Sequence, residues 1–179
     1  MTTDLRPTEA TIRRALPSDA ARLAEFGART FSETFGADNT PDDMALHLAR
    51  TFGAAQQSAE IDDPNMTTII AEHDGRLVAF AQLRAGPAPE SVVGTAPIEV
   101  LRFYVDRPWH GRGIAHALMA AVDEEAVRRR ATVIWLCVWE QNERAKSFYR
   151  KYGYVDVGTK VFVLGTDRQT DRVFSRVVS

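Results

Sequence analysis

The sequence predicts an α/β domain with one parallel strand pair joined through a helix, antiparallel pairing elsewhere, and amphipathic helices covering a mixed sheet. Three observations predict it. First, Ile98–Val105 (IEVLRFYV) and Thr132–Trp139 (TVIWLCVW) are apolar runs flanking a helical pattern. That makes a strand–helix–strand unit with parallel strands and a right-handed crossover. Second, Thr67–Glu72 and Arg76–Leu83 are strand-like runs joined through His73-Asp74-Gly75, and Asp-Gly in that setting signals a hairpin. Third, Tyr154–Leu164 and Arg172–Val178 read as a closing antiparallel pair around Gly165-Thr-Asp-Arg-Gln.

The remaining elements follow in order. Residues 1–9 are polar and read as a flexible tail, leaving 10–179 as a single domain. Thr11–Ala15 suits a short first strand, closed by Pro17 and Ser18. From Asp19 to Phe35 the apolar Leu23, Phe26, Phe31 and Phe35 return at helical steps. A second helix starts with Thr40 as N-cap, Pro41 at the first position and Asp43 in the capping-box place. The polar stretch 51–65 reads as a short helix ending near Pro64, and Ala85–Pro97, rich in Gly, Pro and Ala, as a mobile loop. Ile114, Ala117, Leu118, Ala121 and Val122 fall on one helix face. The nearly unbroken apolar run of 132–139 is that of a strand covered on both sides. A last helix, Asn142–Tyr152, stops at Gly153.

Bulk properties narrow the function. With 179 residues, 45% of them apolar, the chain fits one domain with a real core. A net charge of −2 argues against a nucleic-acid partner. Cys137 is the sole cysteine, which excludes an internal disulfide and a cysteine-based metal cluster; His47 and His73 are too isolated for a metal site. The opening MTTDLRPTEA has no signal-peptide pattern, and no apolar run approaches the ~20 residues that span a bilayer. A soluble, cytoplasmic protein without membrane contact is expected.

The turn His110-Gly-Arg-Gly-Ile-Ala115 joins a strand to a helix. Its glycines let backbone approach a ligand, and the first N–H groups of the helix are unpaired donors favoured by the dipole, as a pyrophosphate requires. Arg107 and Arg112 are placed to add charge-assisted contacts. A glycine turn that only closes a βα connection reads the same way. Neither GxxxxGK[ST] nor GxGxxG is present. Asn142 is a good N-cap, and Tyr149 lies two turns along the same face, with Phe148 turned to the core.

Together, Ile98–Val105, HGRGIA, Trp139-Glu-Gln-Asn142-Glu-Arg-Ala145 and Ser147-Phe-Tyr149-Arg-Lys-Tyr-Gly153-Tyr154 resemble the GNAT acetyltransferases. They match in order and spacing that superfamily's R/Q-x-x-G-x-G/A turn and N-x-x-A-x-x-F-Y-x-x-x-G-F/Y segment. His110 departs from the Arg/Gln position but still donates a hydrogen bond, and Ala115 is the permitted alternative to glycine. TFSETFGADNTPDDM and the tail TDRQTDRVF are similar to the PaiA-type polyamine acetyltransferases.

The resemblance implies a GNAT fold whose central parallel strands splay, the first of them bulged, with the pantetheine arm of acetyl-CoA entering the gap. Backbone groups of Phe103, Tyr104 and Val105 then hold the arm, and His110, Gly111, Arg112, Gly113, Ile114 and Ala115 hold the pyrophosphate. Asn142 touches the pantetheine, and Tyr149 protonates the departing thiolate. An amine of pKa ~10 must lose a proton before attack. Glu99 is the first choice of base, through water, and Glu140 the second. The implied acceptor is a small primary amine, most simply a polyamine drawn by Glu33, Asp38, Asp42 and Asp43. Acetyl-CoA serves as co-substrate with no metal, and a homodimer is compatible. The rival readings are a peptide, toxin or antibiotic amine as acceptor, or an acyl-CoA sensor without catalysis.

Overall fold

In the computed structural model, residues 10–178 are described; the expected tail over residues 1–9 lies outside them. Chain order gives β1 (Thr11–Arg14), α1 (Ala20–Phe35), α2 (Pro41–Thr51), α3 (Ala54–Asp62), β2 (Met66–His73) and β3 (Arg76–Ala85). Then follow β4 (Pro97–Val105), α4 (Ile114–Arg128), β5 (Val133–Trp139), α5 (Glu143–Lys151), β6 (Val155–Leu164) and β7 (Asp167–Val177). The strands lie in the order β1-β2-β3-β4-β5-β7-β6. β4 and β5 are the parallel pair, and the other neighbours are antiparallel.

Local chemistry accounts for most boundaries. Asp74 and Gly75 carry φ values of +48° and +72°, the left-handed pair that a two-residue hairpin turn needs. Thr40 caps α2, its hydroxyl oxygen accepting from the Asp43 N–H at 3.2 Å. Ile114, Leu118, Met119 and Val122 are fully buried under the sheet, each contributing ~1.5–3 kcal/mol. The largest departure from the sequence reading is β7. It begins at Asp167, within the stretch read as a turn, and it lies between β5 and β6. The actual turn is Gly165-Thr166, and Leu164 already pairs with Asp167. A polar run hid a strand.

Two cores flank the sheet. On one face α4 and α5 pack on Val100, Leu136, Val138 and Phe174. On the other, Leu23, Phe26 and Phe31 of α1 and Met44 of α2 meet Phe80 and Leu164. The 86–96 segment, expected as a mobile loop, does not hang free: Val92 is buried against Val133, Trp135 and Val173. β5 has apolar side chains on both faces, and the segment covers the one that α4 leaves open.

Buried charge ties the edges down. Asp19 accepts from Arg13 and Arg22 and from the Leu16 N–H, which joins β1 to α1 and holds its carboxyl far below the usual range. Glu125 accepts from Arg14, Arg129 and Thr67, linking α4 to β1 and β2.

Candidate active site

β4 pairs with β5 only over Pro97–Glu99 against Val133–Trp135. The cause is a bulge. Gln82 of β3 faces Arg102 and Leu83 faces Val100, so Leu101 is the extra residue, and an extra residue bends and twists its strand. The bend is held from α3: Arg102 donates to Glu60 at 2.5 Å and also to Gln82, whose amide donates to Gln57, Glu60 and Thr68 at 3.1 Å each. Beyond Glu99, β4 stays with β3 and β5 stays with β7, so a V opens between them. Phe103 and Tyr104 point to opposite faces. Phe103 packs with Phe148 and Tyr149, and Tyr104 with Phe52 and Phe80.

The glycine corner closes the wide end of this V. Gly111 and Gly113 have φ of +74° and +83°, so both need the left-handed region. A Cβ on Gly111 would meet nothing within 4 Å, which leaves the corner open to a ligand. Among the described residues nothing accepts from the N–H groups of Gly111, Gly113, Ile114 or Ala115. Four free donors at a helix N-terminus form an anion cradle. His110 stabilises the corner from inside. Its Nε2 donates to the Val105 carbonyl at 2.8 Å, and its Nδ1 accepts from Arg144 at 2.9 Å. The Val105 carbonyl, expected among the pantetheine contacts, accepts this bond with one of its two lone pairs. Arg112 stacks over Trp109 at 5.7 Å.

α5 brings up two more expected residues. Asn142 acts as the N-cap, its Oδ1 accepting from the Ala145 N–H at 3.1 Å, which leaves its Nδ2 for other partners. Tyr149 is 8% exposed and lies beneath the V against Phe103 and Tyr154. Burial, reinforced by Tyr154 and Tyr104, pushes its hydroxyl pKa well up, so it keeps its proton. Burial also pushes Tyr104 and Cys137 up to about 12, and Cys137 remains a protonated core thiol.

The carboxylates are distributed differently from the expectation. Glu99 is 6% exposed at the closed end of the V, and its Oε2 accepts from Arg84 Nη2 at 2.6 Å and Nε at 3.1 Å. Glu140 is exposed just past β5. Asp43 is taken up by Thr40 and by Thr166, whose N–H donates to it at 2.6 Å. Glu33 pairs with Arg29, while Asp38 and Asp42 stay exposed. The residue that sequence reasoning missed is Asp171. It lies in β7 between Trp139 of β5 and Lys160 of β6, and it is 9% exposed. Desolvation lifts its pKa to about 6, with Glu140 adding to the rise and Lys160 opposing it. No short-range pattern in QTDRVFS marks it; its ladder partners on β5 and β6 make it strand.

A concavity of about 490 Å³ lined by Val133, Val155 and Val177 lies at the other end of β5 and holds none of the expected site residues. No group of three or more metal-ligating side chains occurs among the described residues. No helix among them is long and apolar enough to cross a membrane.

Known proteins fit this geometry. The pattern of the acetyltransferase (GNAT) family matches residues 28–154. An uncharacterised N-acetyltransferase of Lactobacillus delbrueckii subsp. lactis is 32% identical over 160 residues, 89% of this chain and 92% of that protein. One from Mycobacterium tuberculosis is 33% identical over 159 residues, 89% of this chain and 97% of its own length. The N-alpha-acetyltransferase RimI of the same species is 30% identical over 176 residues, covering 96% of both chains. Among solved structures, the PaiA N-acetyltransferase of Thermoplasma acidophilum, crystallised with coenzyme A, superposes with a TM-score of 0.73. It covers 94% of this chain and 98% of its own, but at 19% identity the likeness speaks for the fold alone. With a splayed strand pair, a glycine corner and these relatives in agreement, the chain belongs to the acetyltransferase (GNAT) family.

Proposed function

We propose that this N-acetyltransferase moves the acetyl group of acetyl-CoA to a primary amine of a small cytoplasmic polycation, a polyamine such as spermidine or spermine. One observation carries the acceptor choice. The face of the V away from α4 bears the buried carboxylate of Asp171, with Asp38 exposed on the connection after α1 and Asp42 exposed in the first turn of α2. Such a face attracts a substrate with several ammonium groups and repels an anionic one.

Each residue then has a task. Acetyl-CoA supplies the thioester carbonyl. The N–H groups of Gly111, Gly113, Ile114 and Ala115 fit its diphosphate, and the unpaired β5-facing edge of Phe103 and Tyr104 fits its amide-bearing arm. The free Nδ2 of Asn142 donates to the same arm. Tyr149, kept protonated by burial, hands its proton to the departing sulfur.

A second reading has a peptide N-terminus as acceptor, favoured by the RimI relative over nearly the whole chain. Thiol release from acetyl-CoA, followed across spermidine, spermine, an aminoglycoside and short peptides, separates the two. Turnover highest on the polyamines is expected. A peptide preference of tenfold or more in kcat/KM removes the polyamine reading.

A further inference from the structure

Asp171 presents an unusual combination. Its side chain is nine-tenths buried, yet among the described residues no donor hydrogen-bonds to it and no cation pairs with it. The carboxylate oxygens keep a path to solvent while the rest of the side chain is enclosed, so a ligand or a proton entering by that path can complete them. Its surroundings name the ligand. Asp171 shares a face with Trp139, which stands at the end of β5 where the V is widest and packs edge-on against Phe35 of α1. Cys137, two cross-strand rows nearer the closed end, pairs with Val173. The charged and titratable groups around it are Lys160 on β6, Glu140 after β5, Tyr104 on β4 and Cys137 on β5. Lys160 is drawn over the Trp135 ring at 5.3 Å instead of closing on the carboxylate. What is missing is a cation between aromatic walls.

Resting on the acetyl-transfer reading above, we propose that Asp171 receives the acceptor's ammonium and takes its proton, while Glu99 serves as the counter-ion of Arg84. The two carboxylates differ in geometry. Glu99 already accepts two N–H bonds from the Arg84 guanidinium, so it is engaged within the fold, whereas Asp171 accepts none among the described residues. Its elevated pKa, about 6, suits a group that gains and sheds a proton near neutrality. The steps balance as follows. The ammonium gives one proton to Asp171, and the freed lone pair forms the C–N bond. The C–S bond breaks with its electrons going to sulfur, which takes the Tyr149 proton. The nitrogen's second proton restores Tyr149, and Asp171 returns its own to solvent.

The test compares wild type, Asp171→Asn, Asp171→Glu and Glu99→Gln in the full chain, by thiol release with spermidine from pH 5 to 10 and by calorimetric titration of acetyl-CoA. Asp171→Asn should lower kcat/KM about 100-fold at pH 7 and bind acetyl-CoA as wild type does. It should also lose the wild-type acidic limb, its rate instead climbing toward the amine's own pKa of ~10. Asp171→Glu should restore part of the rate, and Glu99→Gln should keep the acidic limb. Asp171→Asn activity within threefold of wild type, or loss of the limb in Glu99→Gln instead, overturns the assignment. Intact donor binding in Asp171→Asn shows that its loss of rate is not misfolding. Wild type that binds acetyl-CoA and acetylates no amine removes the underlying reading itself.

Discussion

The glycine corner and the carboxylate-bearing face of the V, proposed here as donor and acceptor ends, are built from different materials. The corner uses backbone: two glycines at positive φ, four unpaired N–H groups and a helix N-terminus, all within residues 110–115. The acceptor end uses single side chains from α1, β4, β5, β6 and β7, brought together only by the fold. A backbone site tolerates side-chain change but not change in φ. A side-chain site does the reverse, since one carboxylate can be decisive while its neighbours vary. Substitutions should therefore separate the two ends cleanly, and four of them probe that separation.

The largest effect belongs to Tyr149, whose proposed proton transfer to sulfur serves the reaction that joins the two ends. Tyr149→Phe should reduce kcat by about 100-fold and leave the KM of each substrate within about twofold, because only the proton to sulfur is lost. Steady-state kinetics with both substrates varied gives the answer. A change confined to KM assigns Tyr149 to binding and breaks the link between the two ends. Next comes the corner itself. Gly113→Val places a β-branched residue at φ +83°, a cost of ~2 kcal/mol or more, and should weaken acetyl-CoA by about 30-fold while the acceptor KM holds. Donor affinity at the wild-type level in a calorimetric titration denies the backbone description.

The same contrast explains what was legible beforehand. The corner lies within six consecutive residues, so the glycine turn His110–Ala115 could be read as a stretch, and so could the Asn142 cap three residues before Ala145. The parallel pair, the hairpin at Asp74-Gly75 and the Thr40 cap were equally local, each written in short-range spacing. The acceptor end was not local. Asp171 sits in TDRQTD, a polar run that looks like a turn until its pairing with Trp139 and Lys160 makes it strand. Asp43 and Glu33 looked free because nothing in the sequence announces Thr166 or Arg29 as partners. Nor does Glu99 reveal Arg84, fifteen residues earlier, as the group across the β3–β4 ladder. Long-range pairing decides which carboxylates remain unpaired, and it has no short-range spacing to read.

A smaller effect sharpens the acceptor end. Lys160 lowers the Asp171 pKa through space, so Lys160→Met removes that attraction and lets the pKa rise. The acidic limb of kcat/KM should move to higher pH, with acetyl-CoA binding untouched. A limb that stays in place disconnects Lys160 from the titrating group, and one that moves down contradicts the sign of the interaction.

The smallest effect is on stability, and its sign is opposite to that of most site substitutions. Asp171 has a folded pKa of about 6, above the ~3.9 of an unfolded aspartate. Between those values the unfolded chain gives up the proton first and so binds fewer protons than the folded chain. Stability therefore falls as pH rises from about 4 to about 6 and stays lower above that. Asn carries no charge to desolvate. Asp171→Asn should then be more stable than wild type by about 1 kcal/mol at pH 8, discounted for screening by the open gap, a gain of a few degrees in Tm. At pH 4 the two should melt together. The buried Asp19 works in the other direction: its carboxyl is held low by Arg13 and Arg22, so its contribution is present above the unfolded pKa and fades only in strong acid. His47, whose pKa burial lowers, also titrates within the window from pH 4 to 8, but it does so in both proteins, so the difference between them reports Asp171. Thermal melts of both proteins across this window decide the matter. A variant less stable at pH 8 makes Asp171 a structural residue, and a stabilised but inactive one marks it as strain retained for function.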